Sequence, residues 1–269
     1  MTLCGKHEFS SKLSYHICVI TFSTPEFLLR YCSTTAAALE RRRAMPSRLR
    51  LAPLRRFFSS SSCPFVEHLP HRFPSAAAFG VTVHADFLSE DEHDALLRSA
   101  EVLLARTRFE NNHFDGVIHG YREQQSRIAS LQPVARAAVE RALQRFPPNA
   151  AAPLPTAHFL ELAEDGAIAP HVDSIKFSGE VVAGLCLVSD AVMLLERSAD
   201  GGAAMTDDAA TDEQTQTRLL LPRRALYILS SAARYEYAHS IPAGAPAFQN
   251  KPVPRARRVS VMLRDNLRS

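Results

Sequence analysis

"GEVVAGLCLVS" (residues 179–189) and, one residue on, "AVMLLERS" (191–198) are two apolar runs of strand length parted by Ser189 and Asp190. Runs this short, rich in Val and Leu and bounded by turn residues, read as β-strands. The same pattern recurs in "TAHFLELA" (156–163), "AIAPHVD" (167–173), "TRLLLP" (217–222), "RALYILSS" (224–231), "ARYEYAHSI" (233–241) and "RRVSVMLRD" (257–265). "EDGAIAP" (164–170) reads as a turn signal between the first two of these. So many short strands in about 110 residues imply a sandwich or barrel.

The part before residue 155 is different. "FGVTVHADFLS" (79–89) reads as an opening strand. Ser89 followed by Glu92 is a capping-box pattern, and Leu96, Leu97, Ala100, Leu103 and Leu104 recur at helical spacing, so a helix is expected over about 90–105. "RTRFENNHFDGVIHGYRE" (106–123) reads as strand–turn–strand or an ordered loop. Pro133 suits a first helical turn, with Val134, Ala135, Ala138, Ala142 and Phe146 as the apolar side, ended by "FPPNAAAPLP" (146–155). The fold class is therefore mainly β, with flanking helices packed on one sheet.

Composition bounds the rest. With 46% hydrophobic residues the chain of 269 folds as a globular protein. Ten of its 31 basic and three of its 28 acidic residues lie in 1–66, so 21 and 25 remain and the body is acidic by four. That body carries no global electrostatic footprint for nucleic acid. Five cysteines without a C-x-x-C pair exclude a zinc ribbon or disulfide framework. No apolar run approaches the ~20 residues of a membrane span. "RRRAMPSRLRLAPLRRFFSSSSCPF" (41–65) is Arg- and Ser-rich and acid-free, the composition of an organellar transit peptide. Residues 1–65 are thus expected as a leader, either a mitochondrial transit peptide or, before Met45, an over-extended start, and 66–269 as the working domain. "SADGGAAMTDDAATDEQTQT" (198–217) has no basic residue and reads as a flexible acidic insertion between two strands.

His171 and Asp173, two apart in "PHVDSIKF" (170–177), are potential metal ligands, but His-x-Asp alone is a weak signal. His239, at the end of a strand-like run, is a third candidate. Two histidines and one carboxylate leave three positions open on a metal, the facial triad of non-haem Fe(II) oxygenases. Zinc hydrolases also use such sets, although no His-Glu-x-x-His motif is present. Arg258, Ser260 and Arg264 share one face of the last strand by period-two alternation. A buried arginine there calls for a carboxylate partner. A dicarboxylate co-substrate supplies one: its keto and carboxylate oxygens chelate iron, and its far end pairs with Arg258 and accepts a hydrogen bond from Tyr227.

His-x-Asp, a distant His, Arg-x-Ser and a second Arg six residues after the first resemble the AlkB family of iron and 2-oxoglutarate dioxygenases. "VIHGYRE" (117–123), "PHVDSIKFSG" (170–179), the "LYIL" and "ARYEYAHSI" runs and "RARRVSVMLR" (255–264) are similar to one branch of it, the mitochondrial AlkB homologue 7 proteins. The resemblance covers about residues 79–265. It implies a double-stranded β-helix (jelly roll). His171, Asp173 and His239 would be iron ligands. Tyr227 and Arg258 would lie on the distal carboxylate of 2-oxoglutarate, with Arg264 near its iron-bound end or bracing Asp173. O2 would be the second co-substrate. It further implies a monomeric enzyme of the mitochondrial matrix with a role in fatty acid metabolism and regulated necrotic cell death. The chain departs from the nucleic-acid-repairing AlkB proteins. It has His158 and Leu160 where they have Asn-x-Tyr, Ser260 where they have Asn, and no long basic flap in 106–123. Hydroxylation of a protein or other non-nucleic substrate is therefore expected. Demethylation of mitochondrial RNA bases and a non-catalytic regulatory role are the alternatives. His119, Tyr121, Lys176 and Phe177 are each read as facing the site or as plain packing and surface residues, and His158 as backing the metal, lining the co-substrate pocket or an ordinary strand residue.

Overall fold

The structure is a computed structural model that describes residues 63–111, 113, 116–176, 178–198 and 216–267. Almost all of the leader, the acidic insertion over 199–215, and Phe177 lie outside the described residues. In chain order the elements are β1 (Val66–Glu67), α1 (Ala76–Phe79), β2 (Val81–His84), α2 (Glu90–Leu104), β3 (Ile118–Arg127), a 3-10 turn (Ile128–Ser130), α3 (Pro133–Leu143), β4 (Thr156–His171), β5 (Val182–Leu187), β6 (Ala191–Arg197), β7 (Thr217–Leu221), β8 (Leu226–Leu229), α4 (Ser231–Tyr235), β9 (Tyr237–Ile241), β10 (Ala247–Phe248), β11 (Lys251–Pro252) and β12 (Arg258–Arg264).

The strands form one curled antiparallel sheet in the order β1-β7-β6-β9-β4-β12-β5-β8-β2, with β3 also on β4. This is the double-stranded β-helix. Its strands β5, β8 and β12 are buried on both faces, and period two sorts their side chains. Val259, Val261 and Leu263 of β12, Ala183, Leu185 and Leu187 of β5, and Leu226 and Ile228 of β8 meet α2 and α3 in one core. The alternate residues Met262, Val182, Cys186, Tyr227 and Leu229 turn inward to a second.

Helix α2 begins where the sequence places it. Ser89 Oγ accepts from the Glu92 amide at 3.2 Å, and Glu92 Oε2 accepts from the Ser89 amide at 2.9 Å. Glu92 also takes Arg141 of α3 at 2.6 Å, which ties the two helices together. Leu96, Leu104 and Val139 are fully buried beneath them. Truncating any of these leucines to alanine costs about 2–5 kcal/mol.

Four expectations are corrected. "EDGAIAP" is no turn: β4 runs unbroken for 16 residues. Its glycine serves close approach, since a Cβ on Gly166 would lie 2.4 Å from the Gly120 carbonyl oxygen, where β3 bulges between His119 and Tyr121. The first half of "ARYEYAHSI" is the helix α4, and only Tyr237 onward is strand. "FG" of the opening run ends α1, with Gly80 at φ 98° as a left-handed cap. Thr217, read as the last insertion residue, already lies fully buried in β7. Among the described residues no helix is long and apolar enough to cross a membrane.

Candidate metal centre

His171 closes β4, and its register partner on β9 is His239. Directly opposed residues of an antiparallel pair project to the same face, and the two rings stand 4.3 Å apart between centroids. Asp173 follows two residues later in the loop. Its Oδ1 lies 3.2 Å from His171 Nε2 and 3.7 Å from His239 Nε2. The ligand atoms of all three fall within 4.8 Å of one another. Strand pairing thus brings together His171 and His239, 68 positions apart, and the loop after β4 adds Asp173.

What holds them is local. His171 Nδ1 lies 3.0 Å from the Ala169 carbonyl, which can only accept, so Nδ1 carries a proton and the ring turns its Nε2 toward Asp173. Arg264 Nε donates to Asp173 Oδ2 at 2.9 Å. Arg234 of α4 donates to the Asp173 carbonyl at 2.9 Å and to Ser178 Oγ at 2.7 Å. Burial works against an ionised Asp173, but the His171 hydrogen bond and the Arg264 charge outweigh it and hold the carboxyl well below the usual range. Burial, with His171 adding to it, pushes His239 down to about 3, so its ring is neutral and able to ligate. Nε2 of the two imidazoles and a carboxylate oxygen thus face one point, a set of ligand atoms that a cation can hold in common. A divalent cation between them satisfies all three, and the donor set suits iron or zinc.

The cluster lies between two spaces. Inward is a small, partly enclosed cavity of about 60 Å³ lined by His158, Leu160, Tyr227, Arg258, His239 and Met262 among others. Outward is an open cleft of about 690 Å³. Arg258 is 2% exposed and donates to Ser260 Oγ at 3.0 Å; no Asp or Glu among the described residues pairs with it. Tyr227 is equally buried and donates to Met262 Sδ at 3.3 Å, a weak acceptor. Burial pushes its phenol up to about 12 against the pull of Arg258, so it stays a donor. A Cβ on Gly184 would lie 2.6 Å from the Tyr227 ring, so the missing side chain is what gives the ring its place.

The weaker candidates separate. His158 lines both spaces and lies 2.7 Å from Glu123. Tyr121 packs inside, with its hydroxyl 3.2 Å from Glu110, and His119 is exposed on the Asn111 carbonyl. Lys176 is exposed and outside the cleft lining. Sequence reasoning missed Arg234 and Glu123. Both sit inside quoted motifs, but the partners of Arg234 lie in the loop after β4 and that of Glu123 on β4, and no spacing rule connects them.

No family model matches the chain. The mouse (Mus musculus) protein named alpha-ketoglutarate-dependent dioxygenase alkB homolog 7, mitochondrial, is 40% identical over 190 residues, which cover 68% of this chain and 76% of the relative. Its cattle (Bos taurus) counterpart is 38% identical over 185 residues with the same coverage. Among solved structures, OsALKBH1 superposes with a TM-score of 0.46 at 15% identity over 69% of this chain and 98% of that one. A Pseudomonas putida prolyl-4-hydroxylase gives 0.45 at 16% over 72% and 96%. With the curled antiparallel sheet, the His-x-Asp and distant His on its inner face, and identity of this level across two-thirds of its length, the chain belongs to the alkB homologue 7 family of alpha-ketoglutarate-dependent dioxygenases.

Proposed function

We propose that His171, Asp173 and His239 hold Fe(II), that Arg258 and Tyr227 receive the distal carboxylate of 2-oxoglutarate in the inner cavity, and that the prime substrate is a protein or other non-nucleic molecule entering by the outer cleft. One observation carries this reading: the three ligand atoms lie within 4.8 Å at the junction of a small cavity that Arg258 lines and an open cleft. Iron bound there supplies the redox chemistry that couples decarboxylation of 2-oxoglutarate to succinate and CO2 with transfer of one oxygen atom of O2 to a substrate C–H bond.

The chain's own groups have separable roles. Arg258 anchors a carboxylate by a charge-assisted pair that burial strengthens, and Tyr227 adds a donor beside it. Arg264 braces Asp173 and so keeps the carboxylate facing the histidines. The Val182, Met193, Leu195 and Ile241 side of the inner core keeps bulk water away. The mitochondrial names of both relatives and the arginine-rich, acid-free 41–65 support a mitochondrial site of action. We place the enzyme in the matrix as a monomer, with a role in fatty acid metabolism and regulated necrosis.

Anaerobic titration with Fe(II) and then 2-oxoglutarate, followed by O2-dependent succinate release, tests the site. Arg258→Ala removes a buried charge-assisted pair of about 3 kcal/mol or more, so 2-oxoglutarate affinity falls at least about 100-fold. Unchanged affinity refutes the co-substrate assignment. Full rescue of a knockout by the His171→Ala, Asp173→Ala double variant shows that the cellular role needs no iron chemistry.

A further inference from the structure

The outer cleft carries a polar cluster that the metal reading does not use. Glu123 of β3 lies with Oε2 2.7 Å from His158 Nε2 on β4 and with Oε1 3.7 Å from His113 Nε2. All three side chains line the cleft beside His171 and Asp173. Among the described lining residues the charged ones are Glu123, Asp173 and Arg264. Arg264 is committed to Asp173 at 2.9 Å. No lysine or arginine of the described residues forms an ion pair with Glu123, whose side chain is 31% exposed. The cleft wall therefore presents one standing negative charge and no uncommitted cation. The His158 hydrogen bond holds the Glu123 carboxyl below its usual range, so it is ionised at neutral pH.

A nucleic-acid strand brings a phosphodiester with every base, and its affinity rests on Lys and Arg that neutralise phosphates. This wall would repel it. A cationic nitrogen meets the opposite reception: a charge-assisted N–H to carboxylate bond of about 2.7–2.9 Å. The apolar lining by Val117, Ile118, Leu154, Val172 and Met262 suits the methylene stem that carries such a group.

We infer that the cleft receives a cationic nitrogen group, an ammonium or guanidinium such as a lysyl or arginyl side chain of a protein carries, and that Glu123, held by His158, recognises it. The inference rests on the reading of this cleft as the way to the metal centre, and names the substrate class for it.

The test is calorimetric titration of the full-length chain, with and without Zn(II) and 2-oxoglutarate. The probes are Nα-acetyl-lysine methylamide, the arginine analogue, the norleucine analogue with an equal stem and no charge, n-butylamine, and uridine 5′-monophosphate. The two cationic amides bind at least about 10-fold tighter than the norleucine amide, and Glu123→Gln removes that advantage. Glu123→Asp, which keeps the charge, retains most of it, and shows that any loss in the Gln variant is not misfolding. Persistence of the advantage in Glu123→Gln overturns the assignment. Saturable uridine monophosphate binding that equals the cationic amides overturns the substrate class. Binding of n-butylamine as tightly as the lysine amide overturns the protein source. Co(II) uptake, read by its visible absorption in parent and His171→Ala chains, reports on the metal centre alone, so failure there is told apart from failure of the cleft assignment.

Discussion

Arg234 offers a sharp test of how this fold holds its metal centre. Asp173 lies in no strand; after β4 ends at His171, Arg264 of β12 braces its carboxylate, but its backbone still needs a fixture. Arg234 supplies that fixture from α4, with one guanidinium nitrogen on the Asp173 carbonyl and another on Ser178 Oγ. Replacing it with Met removes two hydrogen bonds from a charged group, about 1.5–3 kcal/mol each. It also removes a guanidinium that is 1% exposed, whose Nε finds no partner. Burial lowers the pKa of that arginine despite the nearby Asp173, a sign that its charge is costly to keep there. The two effects oppose one another, so the net change in stability stays within about 2 kcal/mol. The positional loss has no such offset. Removing a residue that orients a metal ligand typically weakens metal binding 10- to 100-fold. Anaerobic Fe(II) or Co(II) titration, set beside the thermal midpoint of the metal-free chain, reads both quantities. Arg234→Lys keeps the charge with one donor head and should recover part of the affinity. If Arg234→Met keeps metal affinity within about twofold while the midpoint moves, Arg234 is only a core arginine and the reasoning is wrong.

Three further outcomes follow from the same geometry. The metal-free protein should lose stability as pH falls below about 6.5, the free histidine value, toward the value of about 3 at His239. Within that window the unfolded chain binds the proton and the folded chain does not, so the slope reaches about 1.4 kcal/mol per pH unit at most. Asp173, whose carboxyl is depressed in the fold, adds stability above the unfolded aspartate value that is lost as pH falls through the folded one. His239→Gln should flatten the midpoint–pH curve between 6.5 and 3, and an unchanged curve would contradict the assignment. Gly184→Ala sets a methyl 2.6 Å from the buried Tyr227 ring, so it should cost about 1–3 kcal/mol and weaken 2-oxoglutarate binding; equal affinity would show that the ring has room to move. Ser89→Ala removes one half of the α2 capping box and should lower stability by about 1 kcal/mol in denaturant titration without touching metal affinity.

Much of this protein was legible because its signals are local. Ser89 and Glu92 mark the start of α2 through a bond that spans three residues. Pro133 opens α3 because the first turn needs no amide there. The apolar runs of β5, β8 and β12 become strands buried on both faces, and alternation along "RRVSVMLRD" sets Arg258 and Ser260 against Val259 and Val261 before any partner is known. Local chemistry misled at Gly166, where a glycine that reads as a turn instead admits the backbone of Gly120, and at "ARYEY", where α4 replaces a strand. At Gly166 a contact from elsewhere in the chain overrides the neighbours' preference.

The sequence by itself determined which residue types were available: His and Asp two apart, a lone distant His, and arginines on one face of the last strand. Tertiary structure alone decided that His171 and His239 are register partners, that Arg264 and Arg234 converge on Asp173, and that Glu123 reaches His158. The physical reason is range. A cap or an alternation rule acts within one element, whereas a strand register is set by the whole sheet. Three ligand atoms within 4.8 Å hold their place because the β4–β9 register fixes the two histidines while Arg264 and Arg234 reach Asp173 from elsewhere in the chain.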